Sequence, residues 1–315
     1  MAHNSLVRLR TGVEISTLGL GAAALGGLYS SISDEAARET VEEALRQGIT
    51  YIDTAPHYGK GRSERRLGAA LKGMSGFHIS TKVGRLLVPS TTDIDTFFLD
   101  ADNTVERKFD FSSAGVERSL KDSLERLQMD SVEIVIIHDP DDPSDAEQAL
   151  REGYPALERM RSAGLIKSIG IGMNQSAIPT RFVKETDIDM VLIAGRYSLL
   201  DQSAAIDLLP AALRKGIDII AAGVFNSGIL ANPAPGATYD YMPASDEMLQ
   251  RARNIKSILD EHQIPLTAAA LQFPLRHPAV KAVLVGCRSG EEVRKNCQAF
   301  DTDISEDIWD ALDLA

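Results

Sequence analysis

Short apolar runs alternate with amphipathic stretches along most of the chain. Runs such as TYIDTA (50–55) and VEIVIIHD (132–139) are typical of strands buried on both faces. The stretches between them repeat apolar residues with the period of a helix and often stop at glycine. The pattern predicts strands at 17–24, 50–55, 78–83, 132–139, 167–173, 190–195, 218–224 and 279–286. It predicts helices at 34–48, 63–73, 112–128, 146–164, 176–186, 202–216, 246–263 and 290–300.

Eight strand–helix units in 315 residues predict one α/β domain over 1–315, a (β/α)8 TIM barrel. In such a barrel the active site lies at the carboxyl ends of the strands. An open, doubly wound sheet is the alternative. It is disfavoured because GLGAAALGG (19–27) is rich in glycine but lacks the GxGxxG pattern of dinucleotide-binding sheets.

Two segments interrupt the alternation. The loop 85–111 follows the third strand and is far longer than a usual βα connection, so we expect it to be functional. The segment 226–244 follows the seventh strand, is rich in Gly, Pro and Ala, and is predicted to form a flap over cofactor phosphates or substrate. Four phenylalanines of the first loop either wall a substrate pocket or pack the loop onto the barrel: Phe97, Phe98, Phe109 and Phe111.

Charge and composition exclude several classes of protein. The 33 Lys and Arg against 45 Asp and Glu give a net charge of −12, which disfavours binding to nucleic acid or anionic membranes. No apolar stretch suits a signal peptide or a membrane span, so a cytoplasmic monomer or small homo-oligomer is expected. Cys287 and Cys297 fit neither a redox pair nor a zinc pattern and are predicted to be reduced, structural thiols; no metal is expected.

Four polar residues stand at or just after consecutive strand ends. Asp53, Lys82 and His138 end the second, third and fourth strands, and Tyr58 follows in the loop after the second. Each alone is more often a cap, a packing residue or a rim charge, but neighbouring strands lie about 4.8 Å apart, so together they converge on one small volume.

The chemistry of these four residues suits proton transfer. A buried Lys82 needs a counter-charge, which Asp53 can supply, and the lysine charge would lower the pKa of Tyr58 from about 10. Tyr58 then becomes a general acid or base. His138 can donate a hydrogen bond to the same substrate oxygen.

The motifs around these residues resemble those of the aldo-keto reductases. The resemblance is carried by GITYIDTAPHYGKGRSERRLGAAL (48–71), STKVG (80–84), IIHDP (136–140) and SIGIGMN (168–174), and it covers essentially the whole chain. It implies that the four residues are a catalytic tetrad, that Asn174 contacts a nicotinamide ring, and that His57 lines the substrate pocket. The chain departs from the family at Met173, where serine is usual, and at Ala194, where glutamine is usual.

The resemblance also indicates the cofactor. Backbone amides of Gly286, Cys287 and Arg288, at the start of the last predicted helix, are expected to hold cofactor phosphates. Glu292 occupies a position where a basic residue commonly holds the 2′-phosphate of NADP, so NAD is predicted, with Arg288 as the opposing indication. The other expected cofactor contacts are Gly21, Phe225, Asn226, Gly228 and Asn296.

Within the family, the chain resembles the bacterial aldose 1-dehydrogenases that oxidise L-fucose or D-threo-aldoses, and pyridoxal 4-dehydrogenase. This predicts NAD-dependent oxidation of a sugar hemiacetal or pyridoxal to a lactone, with Tyr58 as the base. An NADPH-dependent aldehyde or ketone reductase and a non-catalytic nicotinamide-binding sensor are the alternatives on this scaffold. Two further classes are a Schiff-base aldolase using Lys82 and a metal-dependent hydrolase using Asp53, His57, His138 and Asp139.

Overall fold

The computed structural model describes residues 2–313, so residues 1, 314 and 315 of the predicted domain lie outside the described part. Eight parallel strands close into a barrel, which confirms the predicted fold class. The eighth strand pairs with the first, from Val283 beside Leu18 to Gly286 beside Gly21. The barrel strands are Leu18–Gly21, Tyr51–Asp53, His78–Val83, Ile134–His138, Ser168–Met173, Met190–Ala194, Asp218–Ala222 and Val280–Gly286.

The α-helices surround the barrel, and serine caps begin several of them. The side chains of Ser33, Ser112, Ser245 and Ser289 each accept a hydrogen bond from a backbone N–H in the first helical turn. The helices are Asp34–Arg46, Arg62–Leu71, Ser113–Leu127, Pro143–Gln148, Tyr154–Ser162, Ala177–Glu185, Leu208–Lys215, Asp246–Glu261, Leu266–Gln272, Gly290–Phe300 and Glu306–Asp313. In the described part of the chain, no helix has the length and apolar character needed to cross a bilayer.

Four helical regions differ from the sequence prediction. The predicted helix 202–216 is α-helical only over Leu208–Lys215, after a short 3-10 helix at Ser203–Ala205. The predicted helix 146–164 contains a π-helical segment, Ala149–Gly153, just before Pro155, whose missing N–H prevents continuous α-helical bonding. The helix Leu266–Gln272 was missed because its sequence, LTAAALQ, is almost entirely apolar and has no amphipathic period. The helix Glu306–Asp313 was also missed.

Two apolar cores lie on the two sides of the barrel wall. The larger one lies between the strands and the helices, and the smaller one fills the inside of the barrel with residues such as Tyr51, Ile136 and Leu192. An N-terminal hairpin, Leu6–Arg8 with Glu14–Ser16, adds Leu9 and Ile15 to the inner core. The carboxyl ends of the strands are therefore the open side of the barrel, where polar side chains are available for chemistry.

The long loop after the third strand is an ordered structure. It begins and ends in a hairpin, Arg85–Pro89 with Val105–Phe109, and its tip carries four aspartates that each form an ion pair. Three of the four basic partners come from the segment directly after Tyr58. The pairs are Asp93 with Lys60, Asp95 with Arg107, Asp100 with Arg66, and Asp102 with Arg65. These pairs hold the loop tip over the mouth of the barrel.

Candidate active site

A buried lysine connects three groups at the carboxyl ends of the second and third strands. The Lys82 Nζ atom lies 2.5 Å from Asp53 Oδ2, 2.9 Å from the Thr54 carbonyl oxygen and 2.9 Å from the Tyr58 hydroxyl. An ammonium group has three N–H donors and no acceptor, so all three donors are used. The Tyr58 oxygen therefore accepts from Lys82, and the phenol's own hydrogen is free to point to another partner.

Ser80 supports this arrangement, and the sequence reasoning missed it. Its hydroxyl donates to Asp53 Oδ1 at 2.7 Å and lies 3.0 Å from the Tyr51 hydroxyl, inside the barrel. Ser80 and Lys82 are two residues apart on one strand and so point to the same face. That period of two, read from Lys82, is the signal that identifies Ser80.

The structure contradicts the prediction that Lys82 lowers the pKa of Tyr58. Burial raises the pKa of Tyr58 well above its usual value of 10.0, and the negative charges of Asp53 and Asp139 raise it further. The physical reason is that Lys82 is in direct contact with Asp53, so the phenol faces a neutralised pair rather than a free cation. In this site Tyr58 is a protonated phenol.

Two neutral histidines stand beside Tyr58. Burial, with the Arg85 and Lys82 charges, holds the pKa of His138 well below 6.5. Burial and the charges of Arg85 and Arg107 lower the pKa of His57 to about 2. His57 Nδ1 lies 3.1 Å from an Arg85 nitrogen, and because guanidinium only donates, the proton of the His57 ring is on Nε2. His138 Nδ1 is buried with no partner in residues 2–313.

A cavity of about 440 Å³ opens above these groups. Phe97 and Phe98 line it, and the Phe98 ring stacks on Tyr58 with centroids 6.0 Å apart. Phe109 does not line the cavity, because it is 48% exposed on the outer side of the loop hairpin. Phe111 is fully buried against Gly84 and does not line it either. Phe97 and Phe98, at the loop tip, thus wall the cavity, whereas Phe109 and Phe111, at the loop base, do not.

A second cavity, a groove of about 650 Å³, adjoins the first and shares Tyr58 with it. Two predicted cofactor residues do not line the groove. Asn174 lines the first cavity, and the Cys287 side chain is buried beside Asn296. Tyr29, Tyr241 and Lys295 line the groove and were missed by sequence reasoning, since nothing in their local pattern marks them. The predicted cofactor residues that line the groove are Gly21, Phe225, Asn226, Gly228, Gly286, Arg288, Glu292 and Asn296.

Arg288 and Glu292 form an ion pair with each other at one end of this groove. The Glu292 carboxylate accepts from the Arg288 backbone N–H at 2.8 Å and from its guanidinium at 2.9 Å and 3.2 Å. One of the three backbone amides predicted to bind phosphate therefore already holds a carboxylate.

Both cysteines are unpaired and buried, as predicted.

The geometry disfavours the two unrelated enzyme classes. A Schiff base needs a neutral lysine, whereas Lys82 donates all three hydrogens and contacts a carboxylate. Of the ligands considered for a hydrolytic metal, Asp53 is occupied by Lys82 and Ser80, and His57 by Arg85. Within residues 2–313 no group of three His, Cys, Asp or Glu side chains is arranged around a common point.

The closed (β/α)8 barrel places a Tyr–Lys–Asp–His cluster between a small cavity and a groove, an arrangement that suits an oxidoreductase. The sequence model of the aldo/keto reductase family matches residues 17–315. The chain belongs to the aldo/keto reductase family.

Two characterised relatives match nearly the whole chain. A D-threo-aldose 1-dehydrogenase from Pseudomonas sp is 42% identical over 311 residues, covering 96% of this chain and 94% of that protein. A pyridoxal 4-dehydrogenase from Microbacterium luteolum is 40% identical over 324 residues, covering 96% and 94%. Among solved structures, the holo form of an aldo-keto reductase from Bacillus halodurans has a TM-score of 0.79 at 26% identity, covering 99% of this chain and 96% of that one. The chain is thus similar to two dehydrogenases of this family.

Proposed function

We propose that this protein is an NAD-dependent dehydrogenase that oxidises the hemiacetal carbon of a small cyclic substrate, an aldose or pyridoxal, to a lactone. The observation that carries the proposal is the Tyr58 hydroxyl, which accepts from Lys82 and lies where the small cavity meets the long groove. The similarity to an aldose 1-dehydrogenase and a pyridoxal 4-dehydrogenase supports the choice of substrate class.

The groove fits a dinucleotide. Its volume of about 650 Å³ is within the usual range for ligand sites. Asn226 is 2% exposed; its Nδ2 donates to the Gly195 carbonyl oxygen, whereas its Oδ1 has no partner in the described residues. That unpartnered oxygen on the groove wall suits the carboxamide N–H of a nicotinamide. NAD held in this groove would supply the hydride acceptor and, in its oxidised form, a positively charged nicotinamide.

Glu292 favours NAD over NADP. The carboxylate already occupies the Arg288 amide and guanidinium, which are the donors that a 2′-phosphate would need. A phosphate at this place would have to displace Glu292 and would be repelled by it. A free ribose hydroxyl can instead donate to the same carboxylate. Lys295, which also lines the groove, is paired with Glu291 at 2.6 Å.

The residues of the chain supply the proton chemistry. With NAD bound as the hydride acceptor, the hemiacetal would lose its C–H hydrogen as hydride and its O–H proton to the deprotonated oxygen of Tyr58. A lactone C=O would form, and Tyr58 would end the step as a phenol. The neutral His138 donates a hydrogen bond to the same substrate oxygen. Because Tyr58 is held as a phenol, it becomes a base only when pH rises or a positive charge is bound nearby. Oxidation is therefore expected to be fastest at alkaline pH.

The protonated phenol also supports a second function, an aldehyde or ketone reductase on the same scaffold. A phenol that accepts from Lys82 is ready to donate its hydrogen to a carbonyl oxygen that has received a hydride. The reductase would be fastest at neutral or acidic pH, where Tyr58 stays protonated. The direction of the pH dependence therefore separates the two functions.

The test is the absorbance of NADH formed from NAD with a panel of free aldoses, pyridoxal and simple alcohols at neutral and alkaline pH. We expect one aldose or pyridoxal to be oxidised with a rate that rises with pH. NADPH-dependent reduction of carbonyls with no oxidation of any panel member would refute the dehydrogenase and support the reductase. The relative rates with NAD and NADP test the role of Glu292 separately.

A further inference from the structure

A charged wall stands in the small cavity beside the catalytic cluster, and the proton chemistry described above does not use it. It consists of Asp139, Arg85 and His57, which all line the cavity. The Arg85 guanidinium donates to Asp139 Oδ2 at 2.8 Å and to His57 Nδ1 at 3.1 Å. Asp139 Oδ2 also lies 3.4 Å from His138 Nε2, so the wall begins next to the reacting oxygen.

The backbone fixes both charged residues of this wall. Asp139 has a φ of 42°, the left-handed region that non-glycine residues rarely adopt, and its N–H donates to the Gly172 carbonyl oxygen at 3.0 Å. Arg85 follows Gly84, whose φ is 99° and where a Cβ would collide with the Phe111 ring. Strained backbone of this kind persists where the surrounding structure holds it, and it is concentrated at functional sites.

The wall has unused hydrogen-bonding capacity. Arg85 Nε is buried without a partner, and Asp139 Oδ1 makes no hydrogen bond, among the residues that the structure describes. Burial raises the pKa of Asp139 to about 6, although the Arg85 charge lowers it. A guanidinium only donates and a carboxylate only accepts, whereas a hydroxyl does both. A ligand hydroxyl in the cavity is therefore a group that can accept from Arg85 and donate to Asp139.

We propose that Asp139 and Arg85 are specificity-determining residues that bind a hydroxyl on the ring carbon next to the reacting carbon. The inference rests on the proposed function, since it assumes that the reacting oxygen lies between Tyr58 and His138. It also narrows that function. An aldose carries a hydroxyl on the carbon next to its hemiacetal carbon, whereas the corresponding carbon of pyridoxal carries none, so the wall selects an aldose.

The test compares an aldose with its 2-deoxy counterpart in the wild type, Asp139→Asn, Arg85→Lys and Asp141→Asn. Hydrogen bonds to charged groups contribute enough that the wild type should prefer the 2-hydroxy sugar by about 10- to 100-fold in kcat/KM. Asparagine tolerates left-handed backbone, so Asp139→Asn preserves the fold at this position. In that variant, and in Arg85→Lys, which lacks Nε, the preference should fall to within about threefold.

Asp141→Asn is the matched control. Asp141 lines the same cavity and acts on Arg85 through its charge, yet it forms no hydrogen bond with that residue. This variant should keep the wild-type preference for the 2-hydroxy sugar. That result separates the effect of a direct hydrogen bond from the effect of a nearby negative charge. A wild type that does not prefer the 2-hydroxy sugar, or a preference that survives in both Asp139→Asn and Arg85→Lys, overturns the inference and leaves the dehydrogenase function standing.

Failure of the proposed function has a different signature. If the wild type oxidises pyridoxal but neither sugar, the inference is overturned and the dehydrogenase function stands; if it oxidises none of the three, the dehydrogenase function is refuted. The inference is then tested by binding alone. Calorimetry with NAD present gives the ratio of the two sugars' Kd values for the wild type and for the same variants. Equal Kd values for the two sugars in the wild type overturn it, and a preference that is lost in Asp139→Asn and Arg85→Lys supports it.

Discussion

Replacing Lys82 by methionine should destabilise the protein strongly, beyond its effect on catalysis. The side chains of Lys82 and Asp53 are only 1% and 4% exposed, so removal of the lysine leaves a buried carboxylate without a counter-charge. Breaking one side of a buried ion pair costs about 3–5 kcal/mol. At roughly 1.5 °C per kcal/mol for 315 residues, from about 2.1 cal/mol/K of unfolding entropy per residue, Lys82→Met should lower Tm by about 4–8 °C.

Thermal unfolding followed by circular dichroism measures this effect. The double variant Asp53→Asn/Lys82→Met should regain at least half of the lost Tm while remaining inactive, because no buried charge is left. Lys256→Met, which breaks an exposed helical pair with Asp260, is the control and should change Tm by roughly 1 °C. Equal Tm values for Lys82→Met and the wild type, or a double variant no more stable than the single one, would refute the reasoning.

Three further predictions concern backbone strain, cofactor choice and pH. Gly84→Ala should cost about 2–5 kcal/mol, because φ is 99° and the Cβ collides with Phe111; an unchanged Tm contradicts this. Glu292→Gln should raise the NADP-to-NAD ratio of kcat/KM about three- to tenfold by releasing Arg288, and an unchanged ratio argues against that role. The raised pKa of Asp139 means that the folded state holds its proton more tightly than the unfolded state, so wild-type stability relative to Asp139→Asn should fall as pH rises from about 4 through about 6. A Tm difference that is constant with pH would contradict this assignment.

The barrel was predictable because its signal is local. Each buried strand is a short apolar run, and the third strand and the last helix of the predicted set begin and end where the structure places them. Local patterns of apolar residues did not reveal two other segments. Leu266–Gln272 is helical yet apolar on nearly every side, and the loop hairpin contains the strand Val105–Phe109, which is mostly polar. In these segments tertiary contacts, rather than a local period, decide the conformation.

The candidate site was predictable only in part. Strand ends converge in any barrel, so Asp53, Lys82 and His138 could be placed together from their positions alone. The pKa direction of Tyr58 could not be, because it depends on how completely Asp53 neutralises Lys82 and on the charge of Asp139 nearby. Of the charged wall, the sequence identified His57 as a pocket residue and Asp139 only as a possible metal ligand. Arg85 was missed because it lies in the long loop, and the unusual φ of Asp139 has no signal in the sequence period.

The most direct test of the account is Tyr58→Phe, measured for turnover and for cofactor binding in the same preparation. If Tyr58 carries the proton, kcat/KM for the best substrate should fall by about 10²- to 10⁴-fold, the usual contribution of a general acid or base. The Kd for NADH, followed by its fluorescence, should stay within about threefold of the wild type, because the substitution removes only the hydroxyl that binds Lys82 and keeps the ring that lines the groove. Turnover that is unchanged in Tyr58→Phe would contradict the central claim.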